Sequence, residues 1–218
     1  MNCLISLFDL DGTIINSQIG ITKSVQYSLQ SFGIIENNPD SLVHFVGPPL
    51  HKSFQKYYGF DEDKSRRAVE KYREYYRENG IFENELYDGI ITLLEELQKN
   101  NIKVVLATSK PEIFARQILE NMNINHYFEN VFGSYLDLTR TDKAEIIRDV
   151  KSTYSQYNDD SFVMIGDKEH DIIGAKKNNI DSVGVLWGFG TQDELEQHNP
   201  RYIARIMSDL HEILIEKK

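Results

Sequence analysis

Two hydrophobic rhythms divide the chain. Leu4–Phe8 is apolar at nearly every position, the pattern of a strand buried on both faces of a parallel sheet. After Thr13 the spacing turns helical. Asn16 or Ser17 caps a helix running to about Phe32, with Ile21, Val25 and Leu29 on one face, and Gly33 ends it. A shorter helical stretch follows Pro39. Val46-Gly47-Pro48-Pro49 then breaks the periodicity, Leu50–Tyr58 forms another helix, and Asp61 opens a long one through Glu78. This block carries no strand pattern.

From Tyr87-Asp88-Gly89 onward, helices and apolar runs take turns. A helix over Ile90–Lys99 leads to a strand at Lys103–Ala107, and Pro111 suits the first turn of a helix to about Met122. A short strand at Val131–Gly133 and a helix from near Asp142 come next. The strand Phe162–Ile165, a helix to Asn178, the strand Ser182–Leu186 and a helical tail from Ser208 to Glu216 complete the series. Such alternation implies a parallel sheet with right-handed crossovers. The predicted fold is therefore α/β, a Rossmann-like parallel-sheet core of residues 1–15 and 86–218. An all-helical insertion, residues 16–85, lies between its first and second strands.

Bulk properties narrow the function. A length of 218 residues suits one domain plus an insertion, and 40% hydrophobic with 27% charged residues is ordinary for a soluble globular protein. No apolar run is long enough for a bilayer, and Met1-Asn2-Cys3 leads into the first strand without a signal-peptide pattern. The single cysteine, Cys3, excludes an internal disulfide, reads as a small buried residue and fits a reducing cytoplasm. A formal charge of −10 argues against nucleic acid or an anionic membrane as partner. A phosphate ester as substrate would then need local attraction, from a divalent metal, one or two lysines and helix N-termini.

Strand ends carry the candidate chemistry, because ligands of open α/β sheets bind at the carboxyl edge. Asp9 and Asp11 end the first strand on the same side, followed by Gly12, which permits a sharp turn. Two carboxylates this close repel unless a cation lies between them or one keeps a proton. Thr108 and Ser109 end the second strand; Asp167 and Asp171 follow a later one, and Lys143 starts a helix between them. Each has an ordinary reading: a turn for Asp9–Gly12 and Asp167, a helix N-cap for Thr108-Ser109, a first-turn charge for Asp171, a solvated lysine for Lys143. Those readings leave unexplained the convergence on one edge of one sheet.

In this order the residues resemble the four motifs of the haloacid dehalogenase superfamily. Asp9-Leu10-Asp11-Gly12-Thr13 matches the first motif, Thr108 the second, Lys143 the third, and Gly166-Asp167 through Asp171 the fourth. Lys110 and Lys151 are alternatives for the third. The resemblance implies a Mg²⁺-dependent phosphatase working through an aspartyl-phosphate. Asp9 is its nucleophile, and Asp11 is the acid and base. Asp9, the Asp11 carbonyl and Asp167 are its metal ligands, with Asp171 behind them fixing a metal-bound water or Lys143. Gly12, Thr108, Ser109 and Lys143 bind the phosphoryl group. Dehalogenases of the superfamily lack the second Asp, so Asp11 favours a phosphatase. The insertion matches the family's helical cap, which closes over the strand edge and reads the leaving group. His44, His51, Lys52 and Arg66 are candidate contacts there, and the Tyr72–Tyr76 helix reads as packing rather than a base-stacking platform.

Gly-Pro-Pro-Leu at 47–50, Thr-Ser-Lys-Pro at 108–111 and the run from Gly166 to Lys176 place the chain near phosphoglycolate phosphatases and 5′-nucleotidases. The implied partner is a small phosphorylated metabolite, such as phosphoglycolate or a nucleoside monophosphate, acted on by a monomer or homodimer. A pyrophosphatase, a β-phosphoglucomutase-type enzyme and a non-catalytic phosphometabolite-binding protein are the alternatives.

Overall fold

The computed structural model describes residues 4–216, so the expectation for Cys3 lies outside the described residues. By its internal contacts the chain divides into two compact units. One joins the residues up to Ile15 with those from Leu86 onward, and the other is Asn16–Glu85.

Along the chain, β1 (Ile5–Phe8) and a two-residue β2 (Ile15–Asn16) precede α1 (Gln18–Ser31), α2 (Leu50–Tyr58) and α3 (Glu62–Glu78). The two-residue β3 (Glu85–Leu86), α4 (Ile90–Lys99), β4 (Lys103–Pro111), α5 (Glu112–Asn121) and β5 (Asn130–Ser134) follow. Then come α6 (Lys143–Thr153), β6 (Phe162–Gly166), α7 (Glu169–Lys177), β7 (Asp181–Val185), α8 (Gln192–Glu196), β8 (Tyr202–Ala204) and α9 (Met207–His211).

The main sheet has six strands in the order β5-β4-β1-β6-β7-β8, with parallel pairing throughout. This is the Rossmann-like α/β architecture expected. β1 is central, its Phe8 in register with Leu106 on one side and Ile165 on the other. Both parities of these strands are buried, which is why their sequences are continuously apolar. Ile5, Leu7, Val105, Ala107, Phe162 and Met164 share one core cluster with Ile146, Ile147 and Val150 of α6 and Ala175 of α7. Truncating Met164 to alanine there would cost about 2–5 kcal/mol.

The Asn16–Glu85 unit is built on helices. Asp61 caps α3 by accepting from the Lys64 amide at 2.7 Å. Tyr72 and Tyr76 are buried and stacked with centroids 5.2 Å apart, so they serve as packing. His44 packs against Tyr57 with ring centroids 3.8 Å apart and planes tilted by 51°, and Arg66 is tied to Glu62 at 2.8 Å.

Several local expectations need correction. Pro111 occupies the N-cap of α5 rather than its first turn, and Thr108-Ser109 lies in strand β4, ahead of that N-cap. Ser17 is the N-cap of α1, but its side chain makes no capping bond; Asn16 Oδ1 instead accepts from the Gln18 amide at 3.1 Å. The stretch after Pro39 is a 3₁₀ helix, Pro39–Phe45. The tail is helical as expected, over Met207–His211 with a π-helical turn at Glu212–Glu216. Strands β2, β3 and β8 and helix α8 are too short for their pattern to be read.

Candidate active site

Asp9, Asp11, Lys110, Lys143, Asp167 and Asp171 gather at the carboxyl edge of the sheet, within the unit built from the first fifteen residues and those from Leu86 onward. Asp9 directly follows β1, and its amide donates to the Ile165 carbonyl at 2.9 Å, extending the ladder with β6 by one bond. The chain then turns tightly: the amides of Thr13, Ile14 and Ile15 all reach the Leu10 carbonyl. Gly12 has φ 83°, and a Cβ there would sit 2.2 Å from Asp167 Oδ2. Only glycine satisfies both the left-handed backbone and that close approach.

Lys143 enters from the first residue of α6, whose N-cap Asp142 accepts from the Ala144 amide at 2.9 Å. Its ammonium lies 2.8 Å from Asp9 Oδ1 and 2.9 Å from Asp171 Oδ1, and donates to the Ala107 carbonyl at 2.8 Å. Burial opposes the charge on this lysine, but Asp171 and Asp9 outweigh it and hold the ammonium above its ordinary range. Lys151 pairs instead with Asp159 and the Asn178 carbonyl and takes no part in this cluster. Lys110 pairs with Asp11 at 2.9 Å.

Asp167 and Asp171 flank the start of α7. Asp171 also accepts from the Lys168 amide at 3.2 Å, which satisfies one free amide at that helix N-terminus. Asp167 accepts from the Phe189 amide through Oδ2 at 2.7 Å, while its buried Oδ1 has no hydrogen-bond partner. One oxygen each of Asp9, Asp167 and Asp171 lie within 4.8 Å of one another. Burial raises Asp9 despite Lys143, with the Asp171 charge adding to it. Burial, then the charges of Asp171 and Asp9, push Asp167 well above the usual carboxylate range. Three buried carboxylates against one buried ammonium leave two negative charges uncompensated when all are ionised. Hard oxygen donors, an orphaned oxygen and a deficit of two charges fit a divalent cation such as Mg²⁺.

Thr108 is buried beside these groups, and its hydroxyl accepts from the Lys110 amide at 3.2 Å, which leaves its own proton for another acceptor. Ser109 spends its hydroxyl on the Thr141 carbonyl at 3.2 Å, so what it offers a ligand is its backbone.

Sequence reasoning passed over the loop Trp187–Gly190. The Trp187 indole donates to the Thr13 carbonyl at 3.1 Å, and Lys168 Nζ donates to the Phe189 carbonyl at 2.9 Å, so both ends of the site hold this loop. Its glycines after an apolar strand were the available signal; the amide that holds Asp167 has no side-chain code. Tyr87 was missed as well: burial, then Asp167 and Asp11, raise its hydroxyl and keep it protonated.

The chain is 42% identical over 208 residues to a 5′-nucleotidase of Pseudomonas aeruginosa, covering 95% of this chain and 94% of that protein. It is 33% identical over 210 residues to the tyrosine-protein kinase PtkA of Mycobacterium tuberculosis, covering 95% and 71% respectively. The crystal structure of a predicted phosphatase from Clostridium acetobutylicum superposes with a TM-score of 0.96 at 44% identity, covering 99% of this chain and all of that one. A family model described as haloacid dehalogenase-like hydrolase matches residues 6–185, and the chain belongs to that family.

Proposed function

We propose that this protein is a Mg²⁺-dependent phosphatase that hydrolyses a small phosphate monoester, a nucleoside monophosphate or a phosphoglycolate-like acid, through an aspartyl-phosphate. The observation that carries the reading is the convergence of Asp9, Asp11, Thr108, Lys143 and Asp167 at one sheet edge, with Lys143 bridging Asp9 and Asp171. Membership of the hydrolase family and the likeness to a 5′-nucleotidase support it. A reducing cytoplasm is the compartment this reading assumes. Among the described residues no helix is long and apolar enough to cross a membrane.

The Asp9 and Asp167 carboxylates and the Asp11 carbonyl would hold the metal. When bound, it screens the repulsion between Asp9 and the phosphoryl oxygens. Asp9 attacks phosphorus while the bond to the leaving oxygen breaks, and Asp11 gives that oxygen a proton. Water then attacks phosphorus of the aspartyl-phosphate, Asp11 takes a proton from that water, and inorganic phosphate leaves with Asp9 restored. Lys143 steadies Asp9 and neutralises one phosphoryl oxygen. The Thr108 hydroxyl and the Ser109 amide donate to the others. Asp171 keeps Lys143 in place.

The test is phosphate release from p-nitrophenyl phosphate, nucleoside monophosphates, phosphoglycolate, pyrophosphate and sugar phosphates, with Mg²⁺ and with chelator. Mg²⁺-dependent turnover of a monoester supports the reading. Inactivity on every compound, or turnover of pyrophosphate alone, overturns it.

A further inference from the structure

Asp11 has a cation of its own. Lys110 Nζ lies 2.9 Å from Asp11 Oδ1 and 2.9 Å from Oδ2, and the two side chains retain only 6% and 8% of their exposure. Lys110 has no part in the scheme above.

The backbone of β4 explains how the lysine reaches it. Phe8 is in register with Leu106, so the residues just past Leu106 run beside those just past Phe8. Against β5, Ala107 pairs with Phe132 and Pro111 with Ser134. Thr108, Ser109 and Lys110 therefore stand against Gly133 alone. Bulges of this kind re-aim a side chain. The Lys110 amide turns onto Thr108 Oγ1 at 3.2 Å, which fixes the bulge from within. Gly133 makes room from outside: a Cβ there would meet the Lys110 carbonyl at 2.7 Å and Glu112 Cα at 2.6 Å. The irregularity is thus accommodated by residues on both strands.

A proton-transferring carboxyl group is effective only when its oxygens are held in the direction of transfer. An ammonium astride both oxygens limits that rotation, and burial of the pair keeps water from competing with it. We propose that Lys110 is a positioning residue for Asp11, aimed by the β4 bulge, that holds the carboxyl group where it exchanges its proton with the leaving oxygen. The inference rests on the phosphatase reading above.

Demand for that proton depends on the leaving group: p-nitrophenolate departs readily without one, an alkoxide does not. The informative quantity is kcat/KM, which reports events only through departure of the leaving group. Wild type and Lys110→Met are compared, with saturating Mg²⁺, on p-nitrophenyl phosphate and on the best alkyl phosphate found for the wild type. The expected result is a loss of at least about tenfold on the alkyl ester and less than about threefold on the aryl ester. Lys110→Arg, which keeps the charge, recovers most of the alkyl activity. In an Asp11→Asn background, Lys110→Met costs less than about twofold more on the alkyl ester, because the group it serves is gone.

Equal losses on both esters overturn the proposal, since a merely structural or substrate-binding lysine gives that result. So does a full multiplicative loss in the Asp11→Asn background. Should Lys110→Met fail to fold, Lys110→Gln carries the same comparison. A wild type inactive on both esters overturns the phosphatase reading itself, a result distinct from an active wild type whose variants show no leaving-group dependence.

Discussion

The Phe189 amide holds one oxygen of Asp167 at 2.7 Å, and the other oxygen, buried, is left with no partner. A carboxylate pinned at one oxygen aims the other. A main-chain amide on a loop held at both ends thus orients the group best placed to receive a cation.

Asp167→Asn should move two quantities in opposite directions. Mg²⁺ affinity should fall by at least about 10–100-fold in calorimetry. At a pH above the range to which Asp167 is raised, the metal-free protein should melt higher, because a buried charge repelled by Asp171 and Asp9 has gone. Unchanged affinity would place the cation elsewhere.

Stabilisation by Mg²⁺ should grow with pH. Asp9 and Asp167 are raised above the ordinary 3.8, so between that value and their raised ones the native state keeps protons that the unfolded chain has released. Their contribution to stability is therefore lost as pH rises through the raised values. Bound metal replaces those protons, and at fixed Mg²⁺ the gain in Tm should widen with rising pH. A gain that narrows would contradict the assignment.

Lys143→Met should destabilise the metal-free fold by about 3–5 kcal/mol in urea titrations, since it strips two buried carboxylates of their shared cation. Lys151→Met, at a partly exposed pair, should cost no more than about 1 kcal/mol. Similar losses for the two would deny Lys143 its place as the centre of the cluster.

Asp9→Asn should reduce turnover to below about one thousandth of wild type while leaving the melting transition cooperative. Normal turnover would remove Asp9 as nucleophile.

Asp11→Asn should lower turnover of alkyl esters by roughly 10²–10⁴-fold. It should still bind Mg²⁺, which needs only the carbonyl of this residue, and phosphate mimics. Unimpaired steady-state rates would end the acid–base role.

How much of this was legible depended on where the information resides. Leu50–Tyr58 and the helix capped by Asp61 stand out because apolar spacing, a cap residue and a terminating Gly59 or Asn79 agree with one another. The buried strands around Phe8, Val105 and Met164 read from composition alone. Tyr202–Ala204 did not: it is a half-buried edge strand of three residues, too short for any period. Gln192–Glu196 is polar save for Leu195, and only its Thr191 cap announces it. At the site, Asp9, Thr108, Lys143 and Asp167 are visible as residue types at strand ends. Lys110 was visible only as a substitute for Lys143, because no pattern in β4 announces the bulge that points it at Asp11. The Phe189 amide could not be read at all, since any residue but proline supplies one.

The central place of β1 has a consequence for the order of events during synthesis. The strand emerges first, yet its neighbours on either side are β4 and β6, which begin at Lys103 and Phe162. Until both exist, its hydrogen-bonding edges wait unpaired, and pairings of such long sequence separation form late. The proposed Mg²⁺ site would require the last of these strands and the Phe189 loop beyond it. On that reading a nascent or refolding chain gains the site only when β1 has been enclosed on both sides.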